Sequence, residues 1–109
     1  THLSVTEDSR IIQFDEIATL LKNETIPHIV LLGDWNTEND SDYSPLIDLG
    51  FTMANPKGTI GGYNGRPNAG QWYIDRILHK GFSAQGDVKA MYVPYELGDH
   101  RPVYCDLTL

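Results

Sequence analysis

Residues 29–36 read Ile29-Val30-Leu31-Leu32-Gly33-Asp34-Trp35-Asn36, an apolar run that halts at a glycine and passes at once into an acidic, amide-rich turn. A short, wholly apolar run closed by glycine predicts a strand buried on both faces, in the middle of a sheet. Asp34 and Asn36 then stand two residues apart at the strand's exit, where backbone position is fixed better than on a free loop. Two readings are open for this pair. It forms an Asx turn that merely ends the strand, or it belongs to a site. A helix-loop-helix calcium loop starting at Asp34 is excluded by spacing, because it needs glycine where Asn39 stands and glutamate where Pro45 stands.

On the N-terminal side, Asp8 to Asn23 carries Phe14, Ile17, Ala18 and Leu21 at helical spacing, with Ile11 and Leu20 widening the stripe. Asp8 or Ser9 is suited to cap this helix, and Pro27 prevents its continuation. Thr1-His2-Leu3-Ser4-Val5 reads as the tail of a strand, expected of a processed chain or a piece of something longer. On the C-terminal side, Ser44 to Gly50 predicts a helical turn or two, with Ser44 as N-cap, Pro45 in the first position and Gly50 beyond the end. Residues 54–70 hold five glycines and two prolines, a long ordered loop of the kind that usually touches ligand. Strand character returns at Trp72 to Leu78, at Val88 to Val93, and at Val103 to Leu109, where apolar and polar residues alternate. The order is strand end, helix, strand, short helix and three strands. It predicts one mixed α/β or α+β unit without an internal repeat.

Composition sets the limits. A chain of 109 residues, 40% hydrophobic, supports one modest core. Its net charge of −7 and lack of a basic block leave no broad grip on nucleic-acid phosphates. A phosphate-bearing substrate therefore needs a metal ion or a few local cations to offset that field. The single cysteine, Cys105, excludes an internal disulfide and a thiolate zinc cluster. No run is long enough for a membrane-spanning helix.

Three segments join a strand to metal-competent chemistry: Gly33-Asp34-Trp35-Asn36, Tyr73-Ile74-Asp75-Arg76-Ile77 and Gly98-Asp99-His100-Arg101-Pro102-Val103. Asp75 sits in an otherwise apolar strand, where an ionised carboxylate is costly unless paired. Its partner is either an arginine, in a structural salt bridge, or His100, whose imidazole such a neighbour would orient and make more basic. For His28 and His79 a surface or packing role is expected.

Taken in order, THL near a strand end, the helix with RIIQFDEI, then LLGDWN, a glycine-rich loop into YIDRIL, and GDHRPVYCDL resemble the second half of an endonuclease/exonuclease/phosphatase domain. This superfamily, with the deoxyribonuclease I-like fold, includes pancreatic-type deoxyribonucleases, abasic-site endonucleases, neutral sphingomyelinases and inositol polyphosphate 5-phosphatases. The resemblance implies an α/β fold that is half of a four-layer α-β-β-α sandwich, with a mixed, mostly antiparallel sheet and covering helices. Residues 1–109 would be the C-terminal half of one domain.

It also implies roles. His2 would contact the scissile phosphate. Asp34 and Asn36 would position or activate the attacking water and help to bind metal and phosphate, with Trp35 where phenylalanine is commoner. Asp75 would hydrogen-bond the active-site histidine, His100, and Asp99 would be a metal-associated aspartate. Gly98 stands where serine is usual, which costs one hydrogen bond. The implied chemistry is metal-dependent hydrolysis of a phosphodiester or phosphomonoester by water, with Mg2+ or Mn2+ as cofactor and either His100 or Asp34 as base.

Tyr63 and Arg66 in the glycine-rich loop would read a head group or a base, or else pack and face solvent; Tyr92 and Tyr95 carry the same alternatives. The substrate class stays open among nucleic acid, phospholipid and inositol phosphate. The family's early asparagine and principal metal-binding glutamate lie upstream of the THL segment, so the N-terminal half is the implied partner, in cis or in trans. The isolated half is expected to be inactive and to expose one face of its sheet. The alternative is a non-catalytic fragment or interaction module that keeps the fold and binds a partner through that face.

Overall fold

The structure is a computed structural model, which describes residues 1–63 and 72–109. Helix α1 spans Glu7–Leu21. It starts one residue before the stretch that the periodicity marks, with Thr6 as N-cap. Asp8 and Ser9 thus lie inside the first turn, where Glu7 and Asp8 face the positive end of the helix dipole. Its buried stripe is narrower than expected: Phe14 is buried and Ile17, Ala18 and Leu21 pack beside it, while Ile11 and Leu20 are exposed. Leu20 lies about 120° around the helix from Phe14, too far to reach the same surface.

Strand β1, Ile29–Asp34, pairs antiparallel with β3, Asp75–Lys80, and β3 pairs antiparallel with β2, Thr52–Met53. The central strand is therefore β3, not β1. The N-terminal residues flank β1 on its other side, as a strand end should. Leu3 donates its N–H to the carbonyl of Asp34 (2.9 Å), and Asp34 donates to that of Thr1 (3.0 Å).

The β1–β3 register divides the sheet into two unlike faces. Leu31 opposite Leu78 and Gly33 opposite Arg76 belong to the face under the helices; Val30 opposite His79, Leu32 opposite Ile77 and Asp34 opposite Asp75 belong to the other. The apolar run of β1 is not buried on both faces: Val30 is 40% and Leu32 56% exposed. Helix α1 covers one side only. Two of the three β3 residues on the uncovered face fare differently: Ile77 and His79 are buried, and β6 packs near β3. His79, as expected of a packing residue, meets the Gln85 side chain at 2.8 Å.

The core under the helices is aromatic. Phe14 stacks on Trp35 at 5.5 Å and meets Tyr43 edge-on at 5.0 Å, geometries that add to simple burial. Trp35 is locked further by an Nε1–H bond to the carbonyl of Arg76. A 3-10 turn at Asp40–Tyr43 leads into helix α2, Ser44–Ile47. Tyr43 takes the N-cap place expected of Ser44, whose hydroxyl instead donates back to the carbonyl of Ser41. The C-terminus ends as its glycine requires. Gly50 adopts φ +93° and donates to Ile47, Phe51 donates to Leu46, and Leu46 and Phe51 both reach the core.

The C-terminal strand signals survive as short pieces: β4 (Ala84–Gln85) pairs with β7 (Leu107–Thr108), and β5 (Lys89–Ala90) pairs with β6 (Val103–Tyr104). Val103 to Thr108 keeps the expected alternation of half-buried and exposed residues. It changes partner at Cys105, so one anticipated strand is two. Strand β3 begins three residues after the expected start at Trp72, which forms an isolated bridge to Tyr63.

Arg76 is 1% exposed beneath the helices. Its guanidinium donates to Asp40 at 2.8 Å and to the carbonyls of Tyr73, Asn55 and Glu38 at 2.6, 2.8 and 3.0 Å, and lies 5.2 Å from the Tyr43 ring centre. One buried cation thus gathers the loop after β1, the loop after β2 and the approach to β3. Arg76→Met keeps the side-chain bulk but leaves these acceptors without a donor. Because Asp40 is 44% exposed, the expected loss is about 3 kcal/mol, the lower end for breaking a buried pair. The measurement is the urea midpoint, which should fall with the slope unchanged.

Candidate active site

The sheet register sets Asp34 directly across from Asp75 at the last rung of the β1–β3 ladder. Both are carboxylates on the same face, a pairing that repels unless something intervenes. The intervening group comes from a third segment. Nδ1 of His100 lies 2.7 Å from Oδ2 of Asp75, so with the carboxylate ionised the ring nitrogen is the donor and Nε2 points away from it. Of the two partners open to Asp75 in the sequence, the histidine is the one it takes; the neighbouring Arg76 faces the opposite side of the sheet and takes Asp40.

Nε2 of His100 lies 3.6 Å from Oδ2 of Asp34, and Nε2 of His2 lies 3.6 Å from the same oxygen. Both gaps exceed a direct hydrogen bond. Oδ1 of Asp34 accepts the N–H of Asn36 at 2.9 Å, which is the Asx turn anticipated at the strand's exit. The two readings of this pair are thus not exclusive: one oxygen closes the turn and the other faces the histidines. Asn36 holds φ +53°, a left-handed conformation that asparagine tolerates. Its Nδ2 donates to the carbonyl of Leu3 at 2.6 Å, tying the His2 segment to the turn.

Asp34, Asp75 and His100 each offer a ligand atom within 4.8 Å of the others. Asp99 stands outside this trio, 57% exposed, with Oδ1 4.0 Å from Nε2 of His100. The donor set suits a hard cation, for which one or two carboxylate oxygens and several waters suffice. Asp34 keeps Oδ2 out of every hydrogen bond among the described residues, whereas Oδ2 of Asp75 is engaged by His100. Burial pushes the Asp75 carboxyl above its ordinary range; the His100 hydrogen bond opposes that shift and Asp34 adds to it.

Tyr63 is beside the cluster. Its backbone bridges both Trp72 and His100, and its ring lies 4.9 Å from that of Trp72 and 5.2 Å, edge-on, from that of His100. Arg66 lies outside the described residues. Tyr92 and Tyr95 are exposed. His28, as expected, has an outside role, its Nδ1 2.7 Å from the carbonyl of Gly81.

Three contributors escaped the sequence reading. Gly62 passes so close to the dyad that a β-carbon there would overlap Oδ2 of Asp75 and lie 3.0 Å from the carbonyl of Arg101. Its own carbonyl accepts the N–H of Arg101 at 2.6 Å, which fixes the residue after His100. Asn55, fully buried, extends the sheet with its side chain: Oδ1 accepts from the N–H of Ile77 at 2.9 Å, and Nδ2 donates to the carbonyl of Asp75 at 2.7 Å. Arg76 is the third. The legible signal for it was an arginine in an apolar strand, which demands buried acceptors.

Comparison with known proteins agrees with this architecture. The sequence pattern of the Endonuclease/Exonuclease/phosphatase family matches residues 2–100. A search of curated proteins finds no match. Among solved structures, truncated Caenorhabditis elegans TDP2 superposes with a TM-score of 0.68 at 18% identity, over 100% of this chain and 52% of that one. The Bacteroides thetaiotaomicron VPI-5482 mannosyl-6-phosphatase Bt3783 gives 0.61 at 18% identity, over 99% of this chain and 49% of that one. The chain thus spans about half the length of these structures. With the pattern matched from His2 to His100, the two ends of the convergent cluster, the chain belongs to the endonuclease/exonuclease/phosphatase family.

Proposed function

We propose that this chain is the C-terminal half of a phosphoester-hydrolysing domain and supplies His2, Asp34, Asn36, Asp75, Asp99 and His100 to its active site. The observation that carries the reading is convergence: Asp34, Asp75 and His100, far apart in sequence, bring ligand atoms within 4.8 Å of one another. The half-length match to both solved structures and the exposed Val30–Leu32 face support the assignment as one half, whose sheet is to be covered by the other.

Asp75 holds the His100 ring in one orientation through Nδ1, which leaves Nε2 free to take or return a proton at the phosphoryl group. The Oδ2 atom of Asp34 faces the same point and is the rival acceptor for the proton of the attacking water. Asn36 and His2 stand at the rim to bind phosphoryl oxygens. Asp34 and Asp99 would hold Mg2+ or Mn2+, which when bound neutralises charge on the phosphate. Tyr63, packed on His100, limits the space above the ring and faces the substrate.

The test is Mg2+-dependent hydrolysis of bis-p-nitrophenyl phosphate by the chain together with the other half of the domain. His100→Ala and Asp34→Asn should each lower turnover about 10²- to 10⁴-fold. No hydrolysis of this or a monoester probe by a correctly folded assembly would leave the non-catalytic module as the better account.

Asp75→Asn separates chemistry from stability. Asparagine can still accept from Nδ1 of His100 but carries no charge, and turnover is expected to fall about 10- to 100-fold. Stability should move the other way. Because the folded carboxyl sits above 3.8, the folded state binds this proton more tightly than the unfolded one, and stability is lost as pH rises from 3.8 through the folded value. The neutral variant escapes that loss. Its Tm relative to the parent should be higher at neutral pH, with the advantage vanishing as pH falls below about 4, read by thermal melts across pH.

Gly62→Ala tests the tight approach of the loop. The added methyl must displace Asp75, so turnover should drop at least as far as in Asp75→Asn while the far end of the sheet keeps its amide-exchange protection.

A further inference from the structure

The outward face of α1 serves neither the core nor the cluster. Ile12 lies about 160° around the helix from the buried Phe14, and Ile12, Glu16 and Leu20 follow one another at four-residue spacing along the side turned to solvent. Ile12 is 59% and Leu20 79% exposed. Asp15 and Thr19 stand beside them and complete one shallow depression. Thr19 turns its hydroxyl back to the carbonyl of Asp15 at 2.8 Å, so the polar character of this face is carried by the carboxylates of Asp15 and Glu16.

This face runs into a socket. Asp15 also lines a cavity of about 200 Å³ between α1 and the segment that leads into α2. Ile11, Phe14 and Pro45 give the cavity apolar walls, and Glu7, Asp15 and Asp42 set carboxylates around them. Among the described residues, neither these three carboxylates nor that of Glu16 is held in an ion pair. Arg10 is the cation in the lining, and its NH1 is drawn away to the carbonyls of Ser4 and Val5, at 3.3 and 2.7 Å. Face and socket together are therefore negative, in a chain whose net charge is −7.

We propose that the outward face of α1 and its socket dock a partner protein through a basic amphipathic helix, whose apolar stripe covers Ile12 and Leu20 while one of its lysines or arginines enters the socket. Such a side chain lays an aliphatic stem against Phe14 and Pro45 and brings its charge beside Glu7, Asp15 and Asp42. The fifteen residues of α1 span about 22 Å, room for about four turns of a partner helix. Charge decides among the occupants. A second copy of the chain would set these carboxylates against their own kind, and an anionic lipid surface would repel them. The open side of the sheet at Val30 and Leu32 lies beyond the core from this face, so the two surfaces can be covered independently. The inference holds whether or not the cluster hydrolyses phosphoesters.

The test is fluorescence polarisation with a labelled helix-forming peptide of leucine and lysine, about 15 residues long to match α1, titrated with the whole chain. A scrambled peptide of the same composition keeps the charge but has no apolar stripe, and should bind at least about tenfold more weakly. Ile12→Ser with Leu20→Ser, and separately Asp15→Lys with Glu16→Lys, should each weaken the patterned peptide about tenfold. Asp48→Lys with Asp87→Lys changes the net charge as much at two exposed positions elsewhere and should alter affinity less than about twofold. All the substituted side chains are exposed, and circular dichroism checks that each variant is folded. On the unsubstituted chain, amide shifts induced by the peptide should run along α1 and reach Ser41 and Asp42. Equal affinity for the scrambled peptide, an equal loss in Asp48→Lys with Asp87→Lys, or shifts that miss Ser41 and Asp42 or centre on Val30 and Leu32 overturns the docking face. So does tighter binding to vesicles of phosphatidylserine and phosphatidylcholine than to the peptide, or self-association that Ile12→Ser with Leu20→Ser abolishes.

Discussion

The antiparallel register of β1 against β3 is the constraint from which the site follows. It sets two carboxylates face to face on one side of the sheet, Asp34 and Asp75, and that arrangement costs free energy unless a hydrogen-bond donor joins it. The requirement is met by His100, which arrives from the far C-terminal segment and hydrogen-bonds Asp75 at 2.7 Å. A shift of one residue would turn Asp75 under the helices and send Arg76 to the site. The aromatic trio of Phe14, Trp35 and Tyr43 and the buried Arg76 guard against that slip, since each is anchored on the helix side of the same two strands.

The division of labour between the two sheet faces is unequal. Under the helices, packing and satisfied hydrogen bonds dominate, with Leu78, Tyr43, Leu46 and Arg76 all but withdrawn from solvent. On the other face, apolar residues and ionisable ones share the surface. Packing is concentrated on one side and the convergent ionisable cluster on the other, so a change at Arg76 affects the scaffold first.

Much of this was legible from residue order. The run ending in Gly33 announced a strand, the periodicity at Phe14, Ile17, Ala18 and Leu21 announced its covering helix, and a lone aspartate within YIDRIL demanded a partner. The resemblance to a known family carried the grouping of His2, Asp34, Asp75 and His100. What stayed hidden depends on tertiary placement. A wholly apolar run cannot say whether one face of the strand stays open, as at Val30 and Leu32. Two-residue strands such as β2 and β4 carry too little pattern to stand out. A side chain that stands in for backbone, as Asn55 does against β3, leaves no periodic mark at all. Gly62 was visible only as part of a glycine-rich loop; its reason, the Asp75 oxygen beside it, exists only in three dimensions.

The pairing of β1 with β3 closes a loop that runs from Trp35 through Ile74, and closure of so long a loop is slow compared with formation of a helix or a local turn. The convergent cluster sits at the rung where that closure is completed, and His100 must then dock from farther still along the chain. No nascent segment emerging from the ribosome can carry the geometry by itself. The convergence of Asp34, Asp75 and His100 is thereby absent until the topology is complete.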